Sequence, residues 1–187
     1  MIYVIDDKIS RQRDYGWDTE SFSSFDDCIC CIHTFEDLKT EMNEIVSDGN
    51  VVLYHESFHD IVPQEEYEQL NSFENVIKEK ASIYVAHFSG SIQSRWISDD
   101  ERLCTLAPEV LYTNLKTFAQ HYREGNLNMR YLLFGENYEL DKQLISRYEE
   151  IIDEDTVLED QTIDNSEEVF FAANYPTAVT PPFRNCV

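Results

Sequence analysis

Short apolar runs alternate along this chain with longer stretches in which apolar residues recur at every third or fourth position. Five of these runs are rich in Val, Ile, Leu, Tyr or Cys, and each is too short to form a stable helix. We therefore predict five buried strands, at 2–5, 28–32, 51–54, 83–88 and 131–134.

The stretches between the runs carry helix signals. Thr34 can cap one helix, Pro63 can start a second, and Pro108 can open a third. A last apolar stripe runs from Leu140 to Ile151. This alternation of strands and helices predicts an α/β fold with a five-stranded, doubly wound parallel sheet and helices on both faces. On such sheets, ligands bind at the carboxyl ends of the strands.

Acidic residues dominate the charge and concentrate towards the end of the chain. The chain has 37 acidic and 14 basic residues, a net charge of −23, and residues 136–168 contain 13 acidic and 2 basic residues. We predict a folded domain over 1–152 and an acidic tail over 153–187. In that tail, Phe170, Phe171 and Tyr175 would be costly to leave in water, so they either pack back on the domain or form a partner-binding motif.

This charge balance restricts the partners of the chain. Direct binding to nucleic acid or to an anionic membrane is disfavoured, because both need basic surface. A protein partner with a basic surface fits better, and an acidic inhibitor that mimics nucleic acid is an alternative. The first residues lack a signal-peptide pattern and no run is long enough to span a membrane, so we expect a cytoplasmic protein. Cys28, Cys30 and Cys31 fit a buried strand better than a metal or disulfide site.

Two adjacent acids, Asp6 and Asp7, follow the first predicted strand. Carboxylates at a strand end suit a hard cation such as Mg²⁺, and Glu56, just after the third strand, could complete a set of three. Acids at such positions also serve as helix caps. Nearby, Arg11, together with Arg13, Tyr15 and Trp17, either forms a recognition surface or covers the edge of the sheet.

The segment Ile2-Tyr3-Val4-Ile5-Asp6-Asp7-Lys8 resembles the opening of response-regulator receiver domains. The resemblance extends over about residues 1–152 through the order and spacing of elements. It implies a flavodoxin-like strand order, 2-1-3-4-5. It also implies that Asp6 and Asp7 help to hold Mg²⁺, and that the chain comes from a bacterium.

The resemblance also implies a phosphorylation site that is only partly present. A receiver carries the phosphoryl acceptor Asp after its third strand, where this chain has His55 and Glu56. Ser89 stands where the fourth strand supplies Ser or Thr, and the fifth predicted strand is followed by Glu136 instead of a Lys. We therefore expect a pseudo-receiver, a non-catalytic signalling module that acts through protein contacts. The alternative within this family is a Mg²⁺-binding receiver that is phosphorylated at an atypical residue such as His55.

Overall fold

The computed structural model describes residues 1–140, 142–144 and 147. It divides the chain into two compact units, Met1–Leu144 and Ile145–Val187, and all described residues except Arg147 belong to the first. The predicted boundary after residue 152 and the whole of the predicted acidic tail lie outside the described residues.

The described residues form one mostly parallel sheet of six strands in the order β2-β1-β3-β4-β6-β5. All neighbouring strands pair in parallel except β5, which is antiparallel to β6 at the edge. The α/β class with a largely parallel sheet is therefore confirmed. The strands are β1 (Ile2–Ile5), β2 (Ile29–Ile32), β3 (Val51–His55), β4 (Tyr84–Phe88), β5 (Trp96–Ile97) and β6 (Leu103–Leu106).

The prediction of five strands, with the fifth at 131–134, is wrong. Residues 131–134 belong to a helix, Arg130–Phe134, and the strand parallel to β4 is Leu103–Leu106 instead. A run of four apolar residues has no periodicity that separates a buried strand from one buried helical turn. The strand that was missed alternates between buried and half-buried positions, with Cys104 and Leu106 buried. Glu136 therefore does not follow a strand.

Helices cover both faces of the sheet. Those predicted from Thr34, after Pro63 and from Pro108 are confirmed as α3, α4 and α5, although a 3-10 turn, Gln64–Glu66, precedes α4. The Thr34 hydroxyl caps α3 by accepting from the Asp37 amide at 3.2 Å. The α-helices are α1 (Ile9–Asp14), α2 (Thr19–Ser23), α3 (Phe35–Ile45), α4 (Tyr67–Glu79), α5 (Pro108–Arg123) and α6 (Arg130–Phe134).

Two apolar layers, one on each face of the sheet, hold these helices. Side chains alternate along a strand, so Ile2 and Val4 pack with α5 and α6, whereas Tyr3 and Ile5 pack with α3 and α4. Both layers are buried, which fixes the register of the parallel strands and brings their carboxyl ends to one edge. Among the described residues, no helix combines the length and the apolar character needed to cross a membrane.

Candidate functional site at the carboxyl ends of the strands

The carboxyl ends of β1 and β3 bring Asp6, Asp7 and His55 together. One ligand atom of each of these side chains lies within 4.8 Å of the others. Three further side chains complete the group, and we call the whole set the acid network: Asp6, Asp7, Arg11, His55, Ser57 and Tyr112.

Asp6 is fully buried, yet each of its carboxylate oxygens has a donor. Oδ1 accepts from Arg11 Nη1 at 2.7 Å and from the Lys8 amide at 2.9 Å. Oδ2 accepts from the Tyr112 hydroxyl at 2.6 Å. A buried carboxylate is stable only when it is paired and hydrogen-bonded in this way, so these donors are what allow Asp6 to stay inside.

Arg11 is the counter-ion of both acids. Besides its contact with Asp6, its Nη2 atom donates to Ser57 Oγ at 3.2 Å and lies 3.7 Å from Asp7 Oδ1. Its side chain is only 14% exposed. The interpretation of Arg11 as part of an exposed recognition surface is therefore wrong, and so is that of Trp17, which is buried in the core.

Ser57 links Asp7 to His55. Its hydroxyl donates to Asp7 Oδ1 at 2.6 Å and lies 2.8 Å from His55 Nδ1, while its amide donates to the same nitrogen at 3.0 Å. His55 Nδ1 is therefore an acceptor, and the ring is neutral with its proton on Nε2. Burial, reinforced by the nearby Arg11 charge, lowers the pKa of His55 from its usual value.

This order of contacts differs from that of a serine nucleophile. In a Ser-His-Asp triad the imidazole lies between hydroxyl and carboxylate, so that it can take the hydroxyl proton. Here the hydroxyl of Ser57 lies between the imidazole of His55 and the carboxylate of Asp7. The contacts thus position His55 and support no proton relay through it.

Ser89 and Glu56 lie towards the other side of β3. Ser89 is 7% exposed, and its hydroxyl is 3.0 Å from that of Ser91, which donates to Glu56 Oε2 at 3.4 Å. The structure thus brings Asp6, Asp7 and His55 into one group, and Glu56 and Ser89 into another. Glu56 and Ser89 line a cavity of about 450 Å³, which we call the β4 cavity; its wall also includes Tyr54, Glu74, Lys78 and His87.

The acid network fits Mg²⁺ poorly. Magnesium requires near-octahedral oxygen ligands, of which a protein usually supplies one or two carboxylates. Both oxygens of Asp6 already accept hydrogen bonds, and the third group within reach is an imidazole whose Nδ1 accepts from Ser57. A cation bound between Asp6 and Asp7 would have to displace the Arg11 guanidinium.

Sequence reasoning missed Ser57 and Tyr112, and it did not predict the contacts of Arg11 with Asp6 and Asp7. Arg11 could have been found, because it lies four residues after Asp7 at the start of a helix, a spacing that favours ion pairs. No local signal identifies Tyr112, which is 106 positions from Asp6. The lysine that the receiver resemblance requires is absent from the corrected strand as well, since β6 is followed by Ala107 and Pro108.

Phe170, Phe171 and Tyr175, the predicted partner-binding residues, lie outside the described residues. Comparison of the chain with models of protein families, with curated proteins and with solved structures found no match.

Proposed function

We propose that this chain is a non-catalytic regulatory module, a pseudo-receiver that acts through protein contacts and without phosphorylation of an aspartate. The observation that carries the proposal is the position of Arg11. Its guanidinium contacts Asp6 at 2.7 Å and approaches Asp7 to 3.7 Å. An internal cation thus neutralises the acids that the receiver resemblance assigns to Mg²⁺.

The lack of an acceptor aspartate after β3 and of a lysine after β6 supports the same proposal. Phosphoryl transfer to a receiver needs a carboxylate acceptor, a metal ion and a cationic side chain to offset the charge on the transferred oxygens. At the end of β3 stands His55, whose Nδ1 is already an acceptor for Ser57. The strand that occupies the fifth parallel position is followed by Ala107, which carries no charge.

Intact-mass spectrometry after incubation with acetyl phosphate and MgCl₂ tests this absence of phosphorylation. We expect the unmodified mass alone. A stoichiometric phosphorylated form that disappears in His55→Ala or Glu56→Ala would overturn the proposal, because it would identify an atypical acceptor at the end of β3. An authentic receiver domain, treated in parallel, shows that the donor is active.

The proposal that the chain acts through a protein partner rests on its sequence. The net charge of −23 favours a partner with basic surface, and Phe170, Phe171 and Tyr175 supply an apolar cluster within the acidic tail. Affinity capture with the full chain, with a chain ending at Ile152, and with Phe170, Phe171 and Tyr175 all changed to Ala tests it. We expect one partner to be captured by the full chain and lost from both variants, with binding that weakens as salt rises.

A Mg²⁺-dependent receiver is the second candidate, and the proximity of Asp6, Asp7 and His55 within 4.8 Å favours it. It requires Arg11 to leave the two acids when the ion binds. The two candidates therefore differ in what Mg²⁺ does to the protein, which a direct titration measures.

A further inference from the structure

Strand β2 forms an edge of the sheet that carries none of the usual protections. It pairs with β1 along one side, and no strand among the described residues pairs with its other side. Proteins commonly protect an edge strand with a charged residue or a proline, or by making it very short. The strand at the opposite edge, β5, has only two residues. The four residues of β2 are Ile-Cys-Cys-Ile, and the side chains of the two cysteines are half-buried.

The hydrogen bonds to β1 show which backbone groups of β2 point outward. The Ile2 amide donates to the Cys28 carbonyl at 2.8 Å, and the Asp6 amide donates to the Ile32 carbonyl at 3.0 Å. Backbone groups alternate in direction along a strand of a parallel pair. The amide and the carbonyl of Cys31 therefore point away from β1, towards the open side of the edge.

Two further backbone groups face outward beside those of Cys31. By the same alternation they are the Ile29 carbonyl and the His33 amide. The Ile29 amide also faces outward, but it already donates to the Phe25 carbonyl at 2.7 Å. Outward donors and acceptors in a row are the template on which an extended peptide adds as a further strand.

An apolar groove lies beside this edge, on the face of the sheet that α1 and α2 cover. It has a volume of about 340 Å³, and its apolar lining consists of Ile9, Trp17, Phe22, Ile29 and Cys31. Ile9 is 45% exposed, which is high for an isoleucine. A strand added to β2 would place every second side chain on this face. The groove therefore favours a peptide with apolar residues at alternate positions.

The charged residues near this edge are mostly acidic. They are Asp18, Asp26 and Arg13 in the groove, and Asp37 and Glu41 on the face that α3 covers. The pKa of the Cys30 thiol is raised mainly by burial and further by the carboxylates of Glu41 and Asp37, so the field of these acids reaches the strand. A basic segment is attracted to such an edge, whereas a second copy of this chain, with its net charge of −23, is repelled.

We propose that the β2 edge binds an extended, basic segment of a partner protein as an added strand. Apolar side chains of that segment enter the groove, and the alternate ones are Lys or Arg that face the acids of α3. Backbone hydrogen bonds to Cys31 and its neighbours hold the segment in place. This inference rests on the proposed function, because it names the kind of partner through which the module acts, and it uses no residue of the acid network.

Calorimetric titration of the full chain with synthetic peptides tests the mode of binding. The probe is a short peptide that alternates Lys and Val. One control has Glu in place of each Lys, and the other has the sequence of the probe with methylated backbone nitrogens, which cannot donate. At about 0.15 M salt, where unspecific attraction is screened, we expect saturable binding of the probe and none of the Glu control. The methylated control should bind more weakly by about tenfold or more.

Two results of this titration would overturn the proposal. The first is the absence of saturable binding of the probe. The second is equal affinity of the probe and the methylated control, because attraction would then be electrostatic and would need no added strand.

Hydrogen exchange and three variants locate the site. Binding should slow exchange of the Cys31 and His33 amides. Asp26→Lys and Glu41→Lys reverse a charge on either face of the edge, and each should weaken binding of the probe by about fivefold or more. The control Glu68→Lys changes an exposed residue of α4 and should leave the affinity unchanged. Equal affinity in all three variants, or unchanged exchange of both amides, would refute the assignment to β2.

Sedimentation of the chain alone tests the other occupant of this edge, a second copy. We expect a monomer. A dimer that dissociates as the probe is added would show that a second copy takes the β2 edge and would overturn the proposal. The proposed function fails separately, through stoichiometric phosphorylation by acetyl phosphate, which none of these measurements involves.

Discussion

The acid network and the β4 cavity share one edge of the sheet and differ in whether their polar atoms have partners. In the network, Asp6 has donors on both oxygens, and Asp7 and His55 are joined through Ser57. On the other side of β3, Nε2 of His87, a residue that lines the β4 cavity, has no hydrogen-bond partner among the described residues. Polar residues at strand ends therefore do not by themselves mark an open site; their partners decide whether they form a closed network or border a cavity.

The segments that follow β1 and β4 explain this difference between the acid network and the β4 cavity. Only three residues separate β1 from α1. Arg11, in the first turn of α1, is therefore close enough to contact Asp6 and Asp7. After β4, the chain passes through a loop and the β5–β6 hairpin before α5 begins at Pro108. No helix start follows β4 closely enough to supply a similar side chain, and space remains beside Ser89.

Removal of Arg11 should have the largest effect on stability. Arg11→Ala leaves two buried carboxylates without their counter-ion, and we expect it to lower the free energy of unfolding by about 3–5 kcal/mol. Urea unfolding monitored by tryptophan fluorescence measures the loss, with Arg13→Ala, an exposed arginine of the same helix, as control. A loss no larger than that of Arg13→Ala would mean that Arg11 is dispensable and that the network is not closed by it.

Tyr112→Phe should have the next largest effect. It deletes the donor to Asp6 Oδ2 without creating a cavity, and hydrogen bonds to charged groups contribute about 1.5–3 kcal/mol. The matched control is Tyr84→Phe, at a half-buried tyrosine of β4, for which we expect a change near zero. Equal changes for the two variants in urea unfolding would contradict the role given to Tyr112.

Stability should also fall with moderate acidity because of His55, which is buried, and His87, which is half-buried. Burial lowers the pKa of His55 and His87 in the folded state, so the unfolded chain binds more protons below the ordinary histidine pKa of about 6.5. The free energy of unfolding is thus fully retained above that pH and decreases as the pH falls from about 7 to 5.

Changing both His55 and His87 to Gln should reduce the dependence of the free energy of unfolding on pH between pH 7 and 5. Carboxylates such as Asp48, whose pKa is lowered by Lys80, act only at lower pH, near the ordinary aspartate value of about 4. A slope between pH 7 and 5 that is the same in the wild type and the double variant would exclude the histidines as its source.

Tyr54→Phe should have the smallest effect. The deleted hydroxyl is buried near Glu74 but makes no hydrogen bond of good geometry, so we expect a free energy of unfolding within about 0.5 kcal/mol of the wild type. A loss as large as that of Tyr112→Phe would show that the Tyr54 hydroxyl has a strong partner within the protein.

The sequence predicted the strands that are marked by a clear apolar run and the helices that begin at a residue favoured at helix starts. β1 to β4 are apolar runs followed by turns, and α3 and α5 begin at Thr34 and Pro108, each with a known physical role at a helix start. The strand at 103–106 was missed because Thr105 interrupts its apolar residues and the charged Arg102 directly precedes it, although Arg102 is mostly buried and donates to carbonyls at the end of α4.

The acids of the candidate site and their arginine counter-ion were predictable from the sequence, but the tyrosine that donates to Asp6 was not. Asp6 and Asp7 follow an apolar strand, which the sequence shows directly. Arg11 lies five positions from Asp6 and four from Asp7, the latter a spacing that favours ion pairs, whereas Tyr112 lies 106 positions from Asp6, and a contact over that separation leaves no trace in a single sequence.

Titration of the intact chain with MgCl₂ in a calorimeter tests the closed network most directly, with Asp7→Asn as the control. Because the Arg11 guanidinium already neutralises the two acids, we predict no saturable binding by the wild type up to roughly 10 mM Mg²⁺, a concentration that would reveal even a millimolar site. One-site binding with a millimolar or lower dissociation constant that is lost in Asp7→Asn would contradict the account and favour a Mg²⁺-dependent receiver.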